Sequence, residues 1–234
     1  MRLLLACSQC YFNTVNEDEF IVEFRDDGLY ELTCPRGHRT ISIIRQLKFE
    51  ILSTIGVFAI RDGYYREAVS SFASCLERFY EFYIRTMSIQ NGSPSEAITE
   101  AWKSVANQSE RQLGAYIFLY TNNHKSSPIL LSNNDVKFRN EVIHKGKIPT
   151  KEEAIKFGNS ILNLIRPVLF ELKSNYRDSI DQVISGHLQP AWDRNTTGFN
   201  VTTVSTPTVI CIDINDERHN KKTIEDFLAD ISSV

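Results

Sequence analysis

The richest group of chemically active side chains lies within one short segment of an otherwise slightly acidic chain. It contains Lys137, Arg139, His144, Lys145 and Lys147. Arginine offers a planar, permanently charged fork to a phosphate, and histidine gains or loses a proton near neutral pH. Metal-free RNA cleavage needs such groups: a base for the ribose 2′-OH, an acid for the leaving 5′-oxygen and a cation for the phosphorane. The lysines either guide RNA towards these groups or are solvated surface charges.

The spacing of Arg139 and His144 limits how one chain can use both side chains. In a regular helix, residues five apart point about 140° from each other, at about 100° per residue. The two side chains then share a face only if the helix is distorted or ends near Gly146. Alternatively, a second copy of the chain supplies the missing partner, and this is the simplest arrangement. Without further context, a surface arginine and a histidine near a helix end are ordinary features.

A second group of residues, near the N-terminus, has the spacing of a zinc site. Two close pairs of ligands, about one hairpin apart, can converge tetrahedrally on one ion. The four residues are Cys7, Cys10, Cys34 and His38. Four protein ligands leave no open coordination position, so we expect a structural zinc ion that contributes folding free energy to a small β module. The alternative is that the cysteines are small buried side chains and the histidine lies on the surface.

Residues 1–42 have the composition of this β module. The runs 20–24 and 29–33 are rich in β-branched and aromatic residues, and the Asp-Gly pair between them favours a tight hairpin turn. The apolar run at residues 3–6 is too short for an export signal. The five cysteines are unevenly spaced, unlike those of a secreted disulfide scaffold. These features predict a cytoplasmic protein.

The hydrophobic period becomes helical over residues 43–175. Residues 46–60 are apolar on most sides and predict a buried central helix. Residues 66–87 carry a broad apolar stripe with a spacing of three and four, which indicates a long amphipathic helix. Further amphipathic segments follow with short connections, so we expect a bundle of four or five helices.

Particular residues mark where these helices begin and bend. Thr150 and Glu153 form a capping box at the start of the last long helix. A similar start is expected at Ser93, followed by Pro94 at the first helical position. Pro167 lies inside the last long helix and predicts a kink, because proline removes a backbone donor.

Residues 176–234 give weaker signals. Residues 208–214 predict a strand and residues 223–231 a short amphipathic helix. This extension is a docking arm, a partner-binding segment or part of a dimer. The expected fold class is therefore mainly α: a helical bundle with a small N-terminal β zinc ribbon and a short α/β C-terminal extension. The expected domains are 1–42, 43–175 and 176–234.

The composition excludes several classes of protein. With 42% hydrophobic and 24% charged residues in 234 positions, the chain has the composition of a globular protein. A net charge of −3 excludes a polycation that coats nucleic acid, so any RNA contact needs a local basic patch. No apolar stretch approaches the roughly 18–20 residues of a membrane helix, and we expect no membrane partner.

The segment 139–144 resembles the signature of a known family. It reads Arg-Asn-x-x-x-His, is followed by Lys-Gly, and precedes Pro-Thr-x-Glu-Glu-Ala at the start of the last long helix. This pattern is similar to the HEPN superfamily (higher eukaryote and prokaryote nucleotide-binding), whose signature is Arg, a polar residue, three variable residues and His. Residues 62–68 and the run to Glu77 also resemble the first helical hairpin of such domains. The resemblance covers residues 43–174.

The resemblance implies a helical bundle that dimerises with its motifs facing each other. It also implies a metal-independent endoribonuclease that acts in phage defence or as a toxin, with an antitoxin or another defence protein as a partner. Arg139 and His144 then form the catalytic pair, Asn140 orients the histidine or the phosphate, and the cofactor is structural zinc alone. Glu77 lines this site or is an ordinary exposed glutamate. The alternative is a non-catalytic dimeric adaptor or sensor that binds a partner protein or nucleic acid through the zinc ribbon and the C-terminal extension.

Overall fold

The computed structural model describes residues 2–13, 19–193 and 200–232 of the chain. The chain divides into two compact units. The first contains Met1–Leu47 and Ile184–Pro207, and the second contains Lys48–Val183 and Thr208–Val234. Part of the C-terminal extension therefore belongs to each unit.

Two small sheets form the framework of the first unit. Its elements are β1 (Arg2–Ala6), α1 (Ser8–Asn13), β2 (Glu19–Glu23), β3 (Leu29–Thr33), β4 (Arg39–Ile44) and β5 (Asn200–Val204). β1 pairs antiparallel with β2, and the second sheet has the order β3-β4-β5. In that sheet β3 is antiparallel and β5 parallel to β4.

The expected hairpin between the runs 20–24 and 29–33 is wrong. Both runs contain strands, and the chain does turn between them, with Gly28 at a φ of +60°. However, β2 pairs with β1 and β3 pairs with β4. The apolar run near the N-terminus explains the difference, because it is a strand that buries Leu3 and Leu5 on one face and pairs with β2. β4 is buried at every position after its first and pairs with β3.

The second unit is helical. Its helices are α2 (Lys48–Arg61), α3 (Tyr65–Gln90), α4 (Ser95–Lys103), α5 (Ser109–His124), α6 (Asn133–Lys145), α7 (Lys151–Asn175), α9 (Glu217–Lys221) and α10 (Ile224–Ser232), and α8 (Arg177–Asp193) runs from this unit into the first. The long α3 packs against α2, α5, α6 and α7. A mainly helical chain with a small N-terminal sheet is thus confirmed. Among the described residues, none of the helices combines the length and apolar character that crossing a membrane requires.

The two central helices occur where the hydrophobic period predicted them. α2 is buried over most of its length. The apolar stripe of α3 is buried as well, and Phe72 and Tyr83 are fully inaccessible. The turn between the two helices contains Gly63 at a φ of +83°, a conformation that glycine adopts without steric cost.

The helix ends agree only in part with expectation. The capping box of α7 is confirmed: Thr150 Oγ1 accepts the N–H of Glu153 at 3.2 Å, and Glu153 Oε2 accepts the N–H of Thr150 at 2.9 Å. At α4 the expected cap by Ser93 is wrong. Pro94 is itself the N-cap, because its extended backbone (ψ 144°) delays the helix by one residue. α7 continues through Pro167 as one helix.

The C-terminal extension contains more helix and less strand than expected. Residues 177–193 form α8, whose buried apolar side chains recur at a spacing of three or four residues from Ile180 to Ala191. The strand expected at 208–214 is wrong, because its buried N–H groups bind side chains of α2 instead of a neighbouring strand. The bonds are Val209 N to Thr54 Oγ1 at 3.1 Å, Ile210 N to Ser53 Oγ at 3.1 Å and Ile212 N to Glu50 Oε1 at 2.8 Å.

Two glycines make room for the buried ring of Phe72. A Cβ atom at Gly56 of α2 would lie 2.6 Å from this ring, and one at Gly158 of α7 would lie 2.8 Å from it. We expect Gly56→Ala and Gly158→Ala each to lower the free energy of unfolding by about 1–3 kcal/mol, because a close-packed ring has little space to move. Chemical denaturation measures this loss.

Gly114→Ala is the matched control for these two variants. Gly114 lies inside α5, and a Cβ atom there meets no described atom within 4 Å. Alanine loses less backbone entropy than glycine in a helix, so this variant should gain up to about 1 kcal/mol. Equal losses of stability in all three variants would contradict contact with Phe72 as the cause.

Candidate functional site

α6 carries the residues expected to act on RNA. It begins after Ser132, whose Oγ accepts the N–H of Asp135 at 3.1 Å. It ends at Gly146, which has a φ of +73°. Val142 is fully buried and anchors the helix, while His144 lies in its last turn. Both ends of α6 are therefore capped, and the motif lies on an ordered helix.

Arg139 is held by two acceptors and keeps unused donors. Its Nη2 donates to Glu77 Oε1 at 2.8 Å, and its Nη1 donates to Asn140 Oδ1 at 3.0 Å. The side chains of Arg139 and Glu77 are 23% and 27% exposed. Glu77 thus lies beside the arginine. This agrees with the first of the two interpretations of Glu77, in which this glutamate lines the site. A guanidinium has five N–H donors, so three remain for a ligand such as a phosphate.

His144 lies on the exposed side of α6. Among the described residues, its ring has no hydrogen-bond or ion-pair partner. Because α6 is a capped α-helix, a separation of five residues puts Arg139 and His144 on different faces. The structure therefore brings Arg139, Asn140 and Glu77 together, and His144 forms no hydrogen bond with any of them.

The three lysines of the motif differ in their surroundings. Lys137 and Lys145 are exposed, and neither pairs with a described carboxylate. Lys147 donates to Glu153 Oε1 at 2.7 Å, and its Nζ lies 4.8 Å from the ring centre of Phe138. This hydrogen bond lowers the pKa of Glu153. Lys147 thus links the segment after α6 to α7, whereas the other two form no ion pair with a described carboxylate.

The donor atoms of the N-terminal cluster converge as the sequence predicted. The ligand atoms of Cys7, Cys10, Cys34 and His38 all lie within 4.8 Å of one another. Cys10 Sγ is 3.8 Å from Cys34 Sγ and 3.3 Å from His38 Nδ1. In a tetrahedral zinc site, sulfur atoms are about 3.8 Å apart and sulfur and nitrogen about 3.5 Å apart, given metal–ligand bonds of about 2.3 and 2.0–2.1 Å. The cluster has the dimensions needed to hold one metal ion.

Short secondary-structure elements position these ligands. Cys7 directly precedes α1, and Cys10 lies in its first turn. Cys34 directly follows β3 and His38 directly precedes β4, so one tight turn supplies the second pair. Gly37 makes this turn possible with a φ of +81°, and its N–H donates to the Cys34 carbonyl at 2.8 Å. The three sulfur ligands are buried.

Backbone groups also prepare this cluster for a cation. Burial raises the pKa of Cys34, but the N–H groups of His38 and Arg36 outweigh it and lower this pKa below its ordinary value. Burial and the neighbouring thiols raise the pKa of Cys10 to about 12. Without a cation, Cys10 is therefore a thiol at neutral pH, and a bound metal ion supplies the charge that makes it a thiolate.

His124, which has no partner motif in the sequence, joins three helices. Its Nε2 lies 3.0 Å from the Tyr83 hydroxyl, and its Nδ1 lies 3.1 Å from Glu171 Oε1. The imidazole also stacks on Tyr120, with ring centres 4.0 Å apart. Tyr83 is fully buried, so the carboxylate–imidazole–phenol chain is a structural link between α3, α5 and α7. Of these contacts, the sequence shows only that Tyr120 and His124 are four residues apart, which places them on one face of a helix.

Comparison with protein-family models, with curated proteins and with solved structures gives no match. Statements about function therefore depend on the geometry and chemistry of these residues. The N-terminal cluster can hold a metal ion with a complete set of four ligands. α6 carries an ordered guanidinium and an exposed imidazole that has no partner in the described part of the chain.

Removal of one sulfur ligand tests the metal centre. We expect the purified protein to contain about one metal ion per chain, and Cys34→Ser to lose it, because a hydroxyl replaces a thiolate ligand poorly. Elemental analysis measures the metal, and hydrogen exchange should show lost protection in residues 19–44. Cys75→Ser is the matched control, since Cys75 is buried in α3 and donates to the Phe49 carbonyl. Full metal content in Cys34→Ser would contradict this ligand set.

Loss of the His124 imidazole should destabilise the helical unit. In His124→Leu the buried hydroxyl of Tyr83 loses its hydrogen bond to the imidazole, at an expected cost of about 1–3 kcal/mol in the free energy of unfolding. Adding Tyr83→Phe removes that hydroxyl and should restore part of the loss. Denaturation of both single variants and the double variant measures their coupling. Strictly additive losses would show that the two side chains do not depend on each other.

Proposed function

We propose that this protein is a metal-independent endoribonuclease of the HEPN type that acts as a homodimer. The observation that carries this proposal is the ordered guanidinium of Arg139, which Glu77 and Asn140 hold at 2.8 and 3.0 Å, on the same helix as the exposed His144. An ordered arginine with unused donors suits a reacting phosphate. An exposed imidazole suits proton transfer.

The proposed reaction breaks the bond between phosphorus and the 5′-oxygen of RNA. An imidazole takes the proton of the 2′-OH, and the 2′-oxygen attacks the adjacent phosphorus. The 5′-oxygen leaves with a proton from an acid, while Arg139 donates hydrogen bonds to the non-bridging oxygens, where charge develops. The products are a 2′,3′-cyclic phosphate and a 5′-hydroxyl. DNA lacks the nucleophile of this reaction and is not a substrate.

Two copies of the chain would complete the set of groups. The reaction needs a base and an acid, and a twofold dimer offers two copies of His144. Exposed apolar side chains on and beside α6 support such pairing: Ile129 is 84% exposed, Val136 41% and Ile148 82%. Burial of these side chains against a second copy would stabilise the dimer.

A small basic surface would attract the substrate. Lys137 and Lys145 are exposed and unpaired with described carboxylates, so they would contact the RNA backbone. Lys147 is partly neutralised by Glu153 and would contribute less. The net charge of −3 makes such a local surface necessary. The biological setting implied by the resemblance is phage defence or toxin action, with an antitoxin or another defence protein as a partner.

Zinc is the metal ion that we propose for the N-terminal cluster. Three thiolates and one imidazole are typical ligands of zinc. Because all four positions are filled by the protein, the ion would stabilise the first unit and would take no part in RNA cleavage. The unit is small, so binding of the ion would provide much of its folding free energy.

Cleavage of RNA by the purified protein tests the proposal. The assay contains a chelator mild enough to leave the first unit folded. We expect cyclic-phosphate ends, an inert all-deoxy substrate, and losses of about 100-fold or more in Arg139→Ala and His144→Ala, as for removal of an acid–base or charge-stabilising group. Lys156→Ala, an exposed position on α7, is the control. Activity that survives in both motif variants would refute the assignment.

The dimer is tested by placing a charge on its proposed surface. Ile148→Asp should give a monomer in sedimentation analysis and should lose RNA cleavage, because the carboxylate would be buried between the chains. Tyr64→Asp is the control, since Tyr64 is 63% exposed at the start of α3. A monomeric wild-type protein with full activity would contradict the two-chain site.

A non-catalytic adaptor is the second candidate. It is favoured by Leu4 and Ile21, which pair across β1 and β2 and are 57% and 70% exposed. This apolar surface on the first unit would contact a partner protein. The two candidates differ in a simple test: growth arrest on expression that His144→Ala relieves favours the nuclease. Binding of a partner without RNA cleavage favours the adaptor.

A further inference from the structure

The helical unit also contains a small pocket, and no residue of α6 lines it. The pocket is formed by α7, by the buried segment 208–214 and by α9. Its polar lining comes from Arg166 and Lys173 of α7 and from Asn220 of α9, and Cys211 forms part of its wall. The enclosed part of this pocket is small, and the rest is open to solvent.

The two cations of this pocket donate hydrogen bonds to backbone carbonyls, not to carboxylates. Arg166 Nη1 donates to the Lys222 carbonyl at 2.6 Å, whereas its Nη2 is buried without a hydrogen-bond partner among the described residues. Lys173 Nζ donates to the Ile214 carbonyl at 2.6 Å. Neither side chain forms an ion pair with a described carboxylate. A half-buried cation in this state loses hydration without gaining a carboxylate as a hydrogen-bond partner.

The nearby acidic groups already have other partners. Asp213 lies 3.5 Å from Arg177, and Glu50 accepts the N–H of Ile212 at 2.8 Å. Burial lowers the pKa of both Arg166 and Lys173, while the charges of Asp213 and Glu50 act to raise that of Lys173. Arg166 is therefore the less compensated of the two cations, and an anion from outside the chain would supply its counter-charge.

The spacing along α7 suggests what kind of anion fits. Arg166, Phe170 and Lys173 follow one another by four and then three residues, so they share one face of the helix. Phe170 is 69% exposed although it is a large aromatic side chain. Phe170 thus comes between the two cations in the order along the helix, and all three residues line the pocket.

We propose that this pocket binds a phosphate monoester, with the phosphate between Arg166 and Lys173 and the organic part against Phe170. A phosphate monoester carries close to two negative charges at pH 7, which matches two cations, whereas a carboxylate supplies one. The small enclosed volume suits the phosphate group, and the exposed ring suits a nucleobase, which stacks on aromatic side chains. A mononucleotide is the ligand class that meets both conditions. This inference does not depend on the proposed nuclease activity.

Calorimetric titration of the full-length protein tests the pocket with AMP, inorganic phosphate, acetate and adenosine as probes. We expect AMP to bind more tightly than phosphate, and acetate and adenosine to give no measurable binding. Arg166→Gln and Lys173→Gln should each weaken AMP binding tenfold or more. Phe170→Ala should reduce the affinity for AMP to that for phosphate. Lys156→Gln removes the same charge from an exposed position of α7 and should leave the Kd unchanged within twofold.

Thermal unfolding separates a binding role from a structural one. Because Arg166 is half buried without a counter-charge among the described residues, Arg166→Gln should keep the unfolding temperature of the ligand-free protein or raise it. Arg166→Gln and Lys173→Gln should both lose the rise that AMP gives to the wild type. Failure of AMP and phosphate to bind the wild type, or equal weakening by Lys156→Gln and Lys173→Gln, would overturn the proposal. So would binding by Arg166→Gln that equals the wild type.

Discussion

The ion pair between Arg139 and Glu77 is the interaction on which the candidate active site depends. It joins α6 to α3, and both side chains keep about a quarter of their surface exposed (23% and 27%). At such partial burial a charge pair is less screened than on an open surface. The carboxylate therefore limits the motion of the guanidinium without using all its donors. An arginine held in this way can meet a phosphate without first losing its own conformational freedom.

Helix geometry is the second constraint, because it determines whether one chain or two chains can supply the groups of the site. α6 is helical from Asn133 to Lys145, and helix geometry points Arg139 and His144 about 140° apart. A reaction that uses both groups then requires a second chain. The exposed apolar residues on and beside α6, such as Ile148, have the character of a surface that such a chain would cover. In this proposal, assembly and activity depend on the same helix.

The features that were predictable from the sequence are those that depend on nearby residues. The metal ligands of the first unit come in two pairs, each close in sequence, and the turn at Gly37 needs a glycine. The metal cluster was therefore visible as a sequence pattern. The periods of α2 and α3 were visible for the same reason. The contact of Glu77 with Arg139 spans 62 residues, and the link through His124 joins three helices. Strand pairing and the binding of residues 208–214 to α2 side chains likewise depend on tertiary neighbours, which a local pattern does not contain.

Groups that the chain leaves unsatisfied distinguish its candidate sites from its structural features. The metal cluster has a complete ligand set, and the imidazole of His124 has partners at both nitrogens. In contrast, His144 has no partner in the described chain, and Arg166 keeps a buried nitrogen without an acceptor. An uncompensated buried donor destabilises the isolated protein. In the proposal above, an anion bound beside Arg166 and Lys173 would offset part of this cost by supplying an opposite charge.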